Sequence, residues 1–265
     1  MLDKKQISRI TDLITTAGEE IMKIYKGDNF YTTLKADNSP VTLADITSDS
    51  IIKTGLSKIT PAIKVFSEET KDIPYETRST WDPLWILDPL DGTREFVARN
   101  DEFCISLALV SKGNPVAGFI QAPVTGEIWY AIKGKGAFFI SGGKKRDLKI
   151  TSPGKTRVIN VSRSNHVKQE AEWIEKVKKQ YEVKVISQGS AIKFCRVATG
   201  QTHMYPKYGR IHEWDIAAGH LIIEEAGGVL IETATGKPPR YNKEDYHQAS
   251  FIAFAPGIAD WKNWI

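Results

Sequence analysis

The segment WILDPLDGTREF, residues 85 to 96, sets two aspartates three positions apart directly behind an apolar run. Other carboxylates stand in comparable places: Glu68 and Glu69 close the run KVFS, and Asp215 precedes the helical pattern that begins at Ile216. In layered α/β proteins, ligands bind where strands end. Carboxylates converging there with no Lys or Arg among them repel one another unless a cation sits between them. Hard oxygen donors of this kind suit magnesium, which takes few protein carboxylates and completes its shell with water and phosphate oxygens. Each piece alone has a plainer reading. Asp88-Pro89-Leu90-Asp91-Gly92 holds the turn dipeptides Asp-Pro and Asp-Gly and reads as two overlapping turns. Paired glutamates are common on surfaces, and Asp215 suits a helix N-cap. The metal reading rests on their conjunction.

Other chemistries find little support. Gly154-Lys155-Thr156 looks like the end of a phosphate-binding P-loop, but Lys149 stands where that motif needs glycine. Neither the five histidines nor the two cysteines show zinc-ligand spacing, and no histidine lies in a triad context. Lys133-Gly134-Lys135-Gly136 falls between two strand patterns and reads as a turn, not a phosphate cradle. A net charge of +4 argues weakly for a polyanion partner, and Lys144, Lys145 and Arg146 read as a solvated loop, so no nucleic-acid partner is expected. Cys104 and Cys195 each sit in an apolar run, as buried free thiols of a reducing compartment do. The start MLDKKQISRI lacks the apolar core of a signal peptide, and no segment reaches membrane-spanning length. A cytoplasmic protein with no integral membrane segment is expected, peripheral membrane association being left open.

The elements that must position the carboxylates are legible by period. Ile7, Ile10, Ile14, Ala17, Ile21 and Ile24 predict an amphipathic helix over residues 3 to 26, stopped by Gly27. A second helix is expected from Leu43 to Ser57, with Ile46, Ser50, Ile51 and Leu56 on one face. CISLALV, PVAGFIQA, EIWYAI and AFFI predict three or four antiparallel strands. SGGKKRDL, residues 141 to 148, reads as a loop and as the best boundary between an N-terminal lobe, 1–145, and a C-terminal lobe, 146–265. Beyond it, the strands RVINVS, VKVIS and VLIET alternate with helices around Ala191–Ala198 and Ile216–Ala226. This alternation favours a layered α/β architecture with mixed α+β content.

Ser67-Glu68-Glu69, Asp88-Pro89-Leu90-Asp91-Gly92-Thr93 and Trp214-Asp215-Ile216-Ala217-Ala218-Gly219 resemble the signatures of the inositol monophosphatase superfamily, which are lithium-sensitive, magnesium-dependent phosphomonoesterases. The order matches, as does the spacing from Glu68 to Asp88. Gly92-Thr93-Arg94-Glu95-Phe96, Val161-Ser162-Arg163-Ser164, Gly189-Ser190-Ala191-Ile192-Lys193-Phe194-Cys195 and Tyr205-Pro206 resemble the 3′(2′),5′-bisphosphate nucleotidase branch in particular. The likeness runs from about Asp37 to Phe254.

The resemblance implies a layered αβαβα sandwich with the site between two lobes. Glu68, Asp88, the main-chain carbonyl of Leu90, Asp91 and Asp215 would hold two or three magnesium ions. Asp45 would accept a hydrogen bond from Thr93, so that Thr93 or Glu68 orients and deprotonates a water, and Gly92 and Thr93 would present N–H groups to the phosphate. The substrate would be adenosine 3′,5′-bisphosphate, and also its sulfated relative, with Asp91, Gly92, Thr93, Ser162, Ser164, Gly189, Lys193 and Asp215 around it. Lys193 reads either as a ligand contact or as an exposed helix lysine, and Arg210, His212 and Glu213 as further neighbours of the leaving group. Asn165 stands where the family often has histidine, with His166 following. An inositol or sugar monophosphate as substrate, and a binding module without catalysis, are the alternatives.

Overall fold

Runs such as WILDPL and CISLALV are apolar without alternation, the pattern of strands covered on both faces. The computed structural model describes residues 2–27, 33–34, 40–163, 167–209, 211–258 and 264, with 33, 34 and 40 described by backbone alone. The first half comprises α1 (Lys4–Lys26), β1 (Thr33–Leu34), β2 (Pro40–Val41), α2 (Leu43–Ile59), β3 (Lys64–Ser67), α3 (Tyr75–Arg78), β4 (Leu84–Asp91) and α4 (Thr93–Val97). It continues through β5 (Cys104–Ser111), β6 (Asn114–Ala122), β7 (Glu127–Ile132), β8 (Gly136–Ser141) and β9 (Lys144–Leu148). The second half comprises β10 (Thr156–Ser162), α5 (Lys168–Lys178), β11 (Glu182–Gln188), α6 (Ile192–Ala198), β12 (Met204–Lys207) and β13 (Ile211–His212). It ends with α7 (Glu213–Glu225), β14 (Val229–Glu232), β15 (His247–Gln248) and β16 (Phe251–Phe254).

β3 to β9 form a seven-stranded sheet in chain order, parallel at β3–β4 and antiparallel thereafter. Alternate β4 side chains separate two cores. Trp85 and Leu87 pack with Ile10, Ile14, Ile21, Ile52 and Leu56 of α1 and α2, whereas Leu84 and Ile86 join a core shared with α6 and α7. The second sheet, ordered β11-β10-β12-β16-β14, lies beyond α6 and α7. On β16, Phe251 stacks with Phe194 of α6 at 5.6 Å, while Phe254 meets Trp173 of α5 at 6.4 Å. Helices, sheet, helices, sheet and helix give the αβαβα sandwich. The central helix sits close because of one glycine: a Cβ on Gly118 of β6 would stand 2.7 Å from the Ala218 carbonyl oxygen of α7.

Three expectations are corrected. The segment 141–148 is not a loop: Gly142 and Gly143 turn the chain, and Lys144–Leu148 is the edge strand β9 paired with β8. Position 145/146 therefore lies inside a strand. Its cations are exposed, Lys145 lying over Phe138 and Arg146 over Phe139. The buried face of α2 is Ala44, Asp45, Ser48, Ile52, Leu56 and Ile59, and Ile46 is 57% exposed. Polar residues occupy that face near its start because it serves the site, which a purely apolar template misses. Asp88–Asp91, finally, is not a pair of turns but the end of β4.

The turn Lys133–Gly136 does connect β7 and β8, and the N–H groups of Gly134 and Gly136 are both taken by the Glu225 carboxylate at 2.9 Å. Cys104 and Cys195 are buried free thiols. Among the described residues no helix is long and apolar enough to cross a membrane.

Candidate active site

Residues three apart on a regular strand point to opposite faces. β4 evades this with a bulge: Asp88 pairs with Ser106 and Asp91 with Cys104, so three steps on β4 meet two on β5. The extra residue returns both aspartates to one side. The Leu90 N–H closes on Asp88 Oδ1 at 3.0 Å, and the Ser48 hydroxyl holds the Pro89 carbonyl at 2.8 Å.

Neighbouring carboxylates follow from the same ladder. Parallel pairing of Ser67 with Leu87 makes Glu68 leave the sheet beside Asp88. Ser106, opposite Asp88, donates its hydroxyl to the Trp214 carbonyl at 2.9 Å, pinning the start of α7 where Asp215 faces the bulge. Asp215 lies in the first turn of α7 and accepts the His212 N–H at 2.8 Å, so His212, not Asp215, is the N-cap. Oxygens of Asp88, Asp91 and Asp215 all lie within 4.8 Å of one another. Glu68 lies outside that group but lines the same cavity.

This crowding is visible in proton affinities. Burial first, and then the charges of Glu68, Asp91, Asp215 and Asp45, hold the Asp88 carboxyl well above the usual range. Asp91 is pushed up to about 7 by burial and by Asp215, against the pull of Lys193 and of the Ala191 N–H that its Oδ2 accepts. A divalent cation relieves both strains, and an all-oxygen donor set fits a hard ion.

Thr93 opens α4, and its hydroxyl lies 3.2 Å from both Asp45 Oδ1 and the Leu90 carbonyl. Buried Asp45 is held in turn by the N–H and hydroxyl of Thr42, at 2.7 and 2.6 Å. Gly92 precedes α4 with φ 93°, a left-handed conformation that glycine adopts without a Cβ penalty.

The cavity, of about 260 Å³, is lined by the acidic residues Glu68, Asp91 and Asp215, by Gly92 and Thr93, and by Ser162, Gly189, Lys193, Tyr205 and Lys207. Lys193 is not an exposed helix lysine: it is 4% exposed, donates to the Ser190 carbonyl at 2.6 Å, and lies over the Tyr205 ring. Burial lowers its ammonium to about 8, although Asp91 opposes the shift. Lys207 is buried too, with its Nζ 3.4 Å from the Ser162 hydroxyl and its affinity for the proton lowered by burial. Sequence reading overlooked Lys207; the signal was a lysine directly after Tyr205-Pro206 at the end of a strand.

Glu102 ties the rim, accepting from both Arg163 Nε and Nη2 at 2.6 Å and from the Gly189 N–H at 2.7 Å. Ser164, Asn165, His166 and Arg210 lie outside the described residues. His212 lines the cavity, stacked on Trp214 at 4.6 Å. Glu213 does not: it is fully buried and accepts the N–H groups of Asn242 and Lys243 at 2.6 and 3.0 Å, so its place beside the leaving group is withdrawn.

Comparison with known proteins agrees with this architecture. The chain is 38% identical to the 3′(2′),5′-bisphosphate nucleotidase CysQ of Escherichia coli K12 over 90% of its length and 95% of that protein. The crystal structure of CysQ from Bacteroides thetaiotaomicron superposes with a TM-score of 0.85 at 37% identity, covering 94% of this chain and 97% of that one. The Thermotoga maritima IMPase TM1415 superposes with a TM-score of 0.79 at 26% identity, covering 98% and 95%. The model of the inositol monophosphatase family matches residues 3–261, and the chain belongs to that family.

Proposed function

We propose that this protein is a magnesium-dependent 3′(2′),5′-bisphosphate nucleotidase. It removes the 3′-phosphate of adenosine 3′,5′-bisphosphate, giving AMP and phosphate, and accepts the sulfated relative of that nucleotide. One observation carries the reading: a single cavity is lined both by carboxylates, Glu68, Asp91 and Asp215, and by two buried ammonium groups, Lys193 and Lys207. A substrate with two anionic groups can engage cations held by the carboxylates and also the two lysines, and the names of the relatives point the same way.

Glu68, Asp88, the Leu90 carbonyl, Asp91 and Asp215 would hold two or three ions. Bound magnesium neutralises the phosphate dianion, acidifies the attacking water and stabilises the departing oxygen. The chain supplies the rest. Thr93 gives its hydroxyl hydrogen to Asp45 or the Leu90 carbonyl, which leaves an oxygen lone pair to orient the water. The water attacks phosphorus, the bond from phosphorus to the 3′ oxygen breaks, and that oxygen leaves with the bonding pair and becomes the 3′-hydroxyl by taking a proton from solvent. Glu68, which lines the same cavity, takes the proton of the water. N–H groups at the start of α4 cradle the phosphate. Lys193 and Lys207 bind the 5′-phosphate as point charges, while Ser162 and Gly189 border the nucleoside.

A panel of adenosine 3′,5′-bisphosphate, its sulfated relative and inositol 1-phosphate, assayed for phosphate release with magnesium, tests this. Preference for inositol 1-phosphate overturns the nucleotidase reading, and no release from any monoester supports a binding module instead.

A further inference from the structure

The buried face of α2 begins with polar residues, and each reaches a different piece of the site. Asp45 meets Thr93, and Ser48 meets the Pro89 carbonyl inside the bulge. The next residue, Asp49, accepts the Ser67 hydroxyl on one carboxylate oxygen at 2.5 Å. Its other oxygen holds Lys53 Nζ at 2.7 Å, and Lys53 reaches on to the Thr70 hydroxyl at 3.2 Å. Ser67 and Thr70 are the two ends of one helical turn, Glu68–Thr70 with its cap, and Ser67 also accepts the Glu69 N–H at 3.2 Å.

We propose that Asp49 is a positioning residue for Glu68. It clamps both ends of the turn carrying Glu68 to the helix carrying Asp45, so that α2 sets the spacing of both carboxylates. The turn needs such a clamp. β3 is a strand of four residues at the edge of its sheet, paired among the described residues with β4 alone. The links through Ser67 and Lys53 add the side-to-side restraint that a one-neighbour strand lacks. The clamp is itself sheltered: Ser67 is fully buried and the Asp49 side chain is 13% exposed. Groups that hold a metal-binding carboxylate in place are worth roughly 10–100-fold in metal affinity or activity.

This inference rests on the metal-centre reading. Magnesium alone is titrated calorimetrically into the wild type and into Asp49→Asn, Ser67→Ala, the double variant and Ser57→Ala, with thermal unfolding of each. The control hydroxyl, Ser57, donates to the Thr54 carbonyl on the exposed side of the same helix. Asp49→Asn and Ser67→Ala are expected to raise the magnesium dissociation constant about tenfold. The double variant is expected to match the larger single effect, because both break one link. Turnover at saturating magnesium stays within about threefold of wild type in both single variants, as expected when affinity and not the chemical step is lost. If both single variants keep the wild-type dissociation constant, whatever happens to their melting temperatures, the role is structural and the proposal fails. Should Asp49→Asn not fold, Ser67→Ala decides alone. A wild type that binds no magnesium overturns the metal centre itself, and this inference with it.

Discussion

Thr93 and Asp45, 48 positions apart, meet side chain to side chain at 3.2 Å and so join the first residue of α4 to the first turn of α2. Asp45 has its second oxygen committed to Thr42, so it has one oxygen left for Thr93. Thr93→Val keeps shape but removes the hydroxyl. The proposed role predicts a fall in kcat of about 10²- to 10⁴-fold with KM little changed, and Thr93→Ser restoring most of the rate. Steady-state phosphate release on the three proteins checks it; equal losses in Ser and Val variants contradict it.

Asp91→Asn removes a charge that burial and Asp215 disfavour. Magnesium-dependent turnover should fall by more than about 100-fold, while the metal-free protein unfolds at the same temperature as wild type or higher. A lowered melting temperature without metal would show that Asp91 supports the fold by some other contact.

The raised Asp91 carboxyl also dictates a pH dependence. A carboxyl that titrates near 4 in the unfolded chain and at about 7 in the folded one binds more protons folded than unfolded in that interval. Its contribution to stability is complete below pH ~4 and is lost as pH rises through about 7. Added magnesium should therefore raise the melting temperature more at about pH 8 than at about pH 5, since ligands must be deprotonated. Equal shifts at the two pH values would argue against a carboxylate metal centre.

Lys193 and Lys207 are assigned to the second phosphate, not to the reacting one. Lys193→Met and Lys207→Met should each raise KM for adenosine 3′,5′-bisphosphate by about 10–100-fold, the range of a charge-assisted hydrogen bond. With adenosine 3′-monophosphate, which lacks the second phosphate, the change should stay within about twofold. Parallel losses on both substrates would move these lysines to the reaction centre.

Gly92 has φ 93°, and a Cβ there would stand 3.0 Å from the Glu102 carbonyl and 3.1 Å from the Ser190 Cβ. Gly92→Ala should cost about 1–3 kcal/mol, from the left-handed backbone and this crowding together. Urea unfolding measures it, and a cost near zero would mean that the bend between β4 and α4 relaxes freely.

What could be read in the residues divides along physical lines. α1 was legible because its apolar period is strong, and β5 to β8 because turn residues punctuate them. The acidic segments stood out because charge at the end of an apolar run is unusual. The bulge in β4 was not legible: Pro and Gly signal a change of direction, but only the pairing of Asp91 with Cys104 shows that an extra residue enters the ladder. Ile46 misled because helical period alone cannot say which face meets the core when Asp45, Ser48 and Asp49 are needed inside. Lys207 escaped notice because one lysine in a short strand carries no periodic signal. Glu213 was misplaced because two neighbours on a helix, Glu213 and Asp215, point in different directions.

The acidic and the basic residues of the cavity come from different parts of the chain. The carboxylates come from β4, the turn after β3, and the start of α7, all fixed by the seven-stranded sheet, whereas Lys193 and Lys207 come from α6 and β12. Substitution of these two lysines can thus change which phosphate ester is accepted while every carboxylate stays in its place.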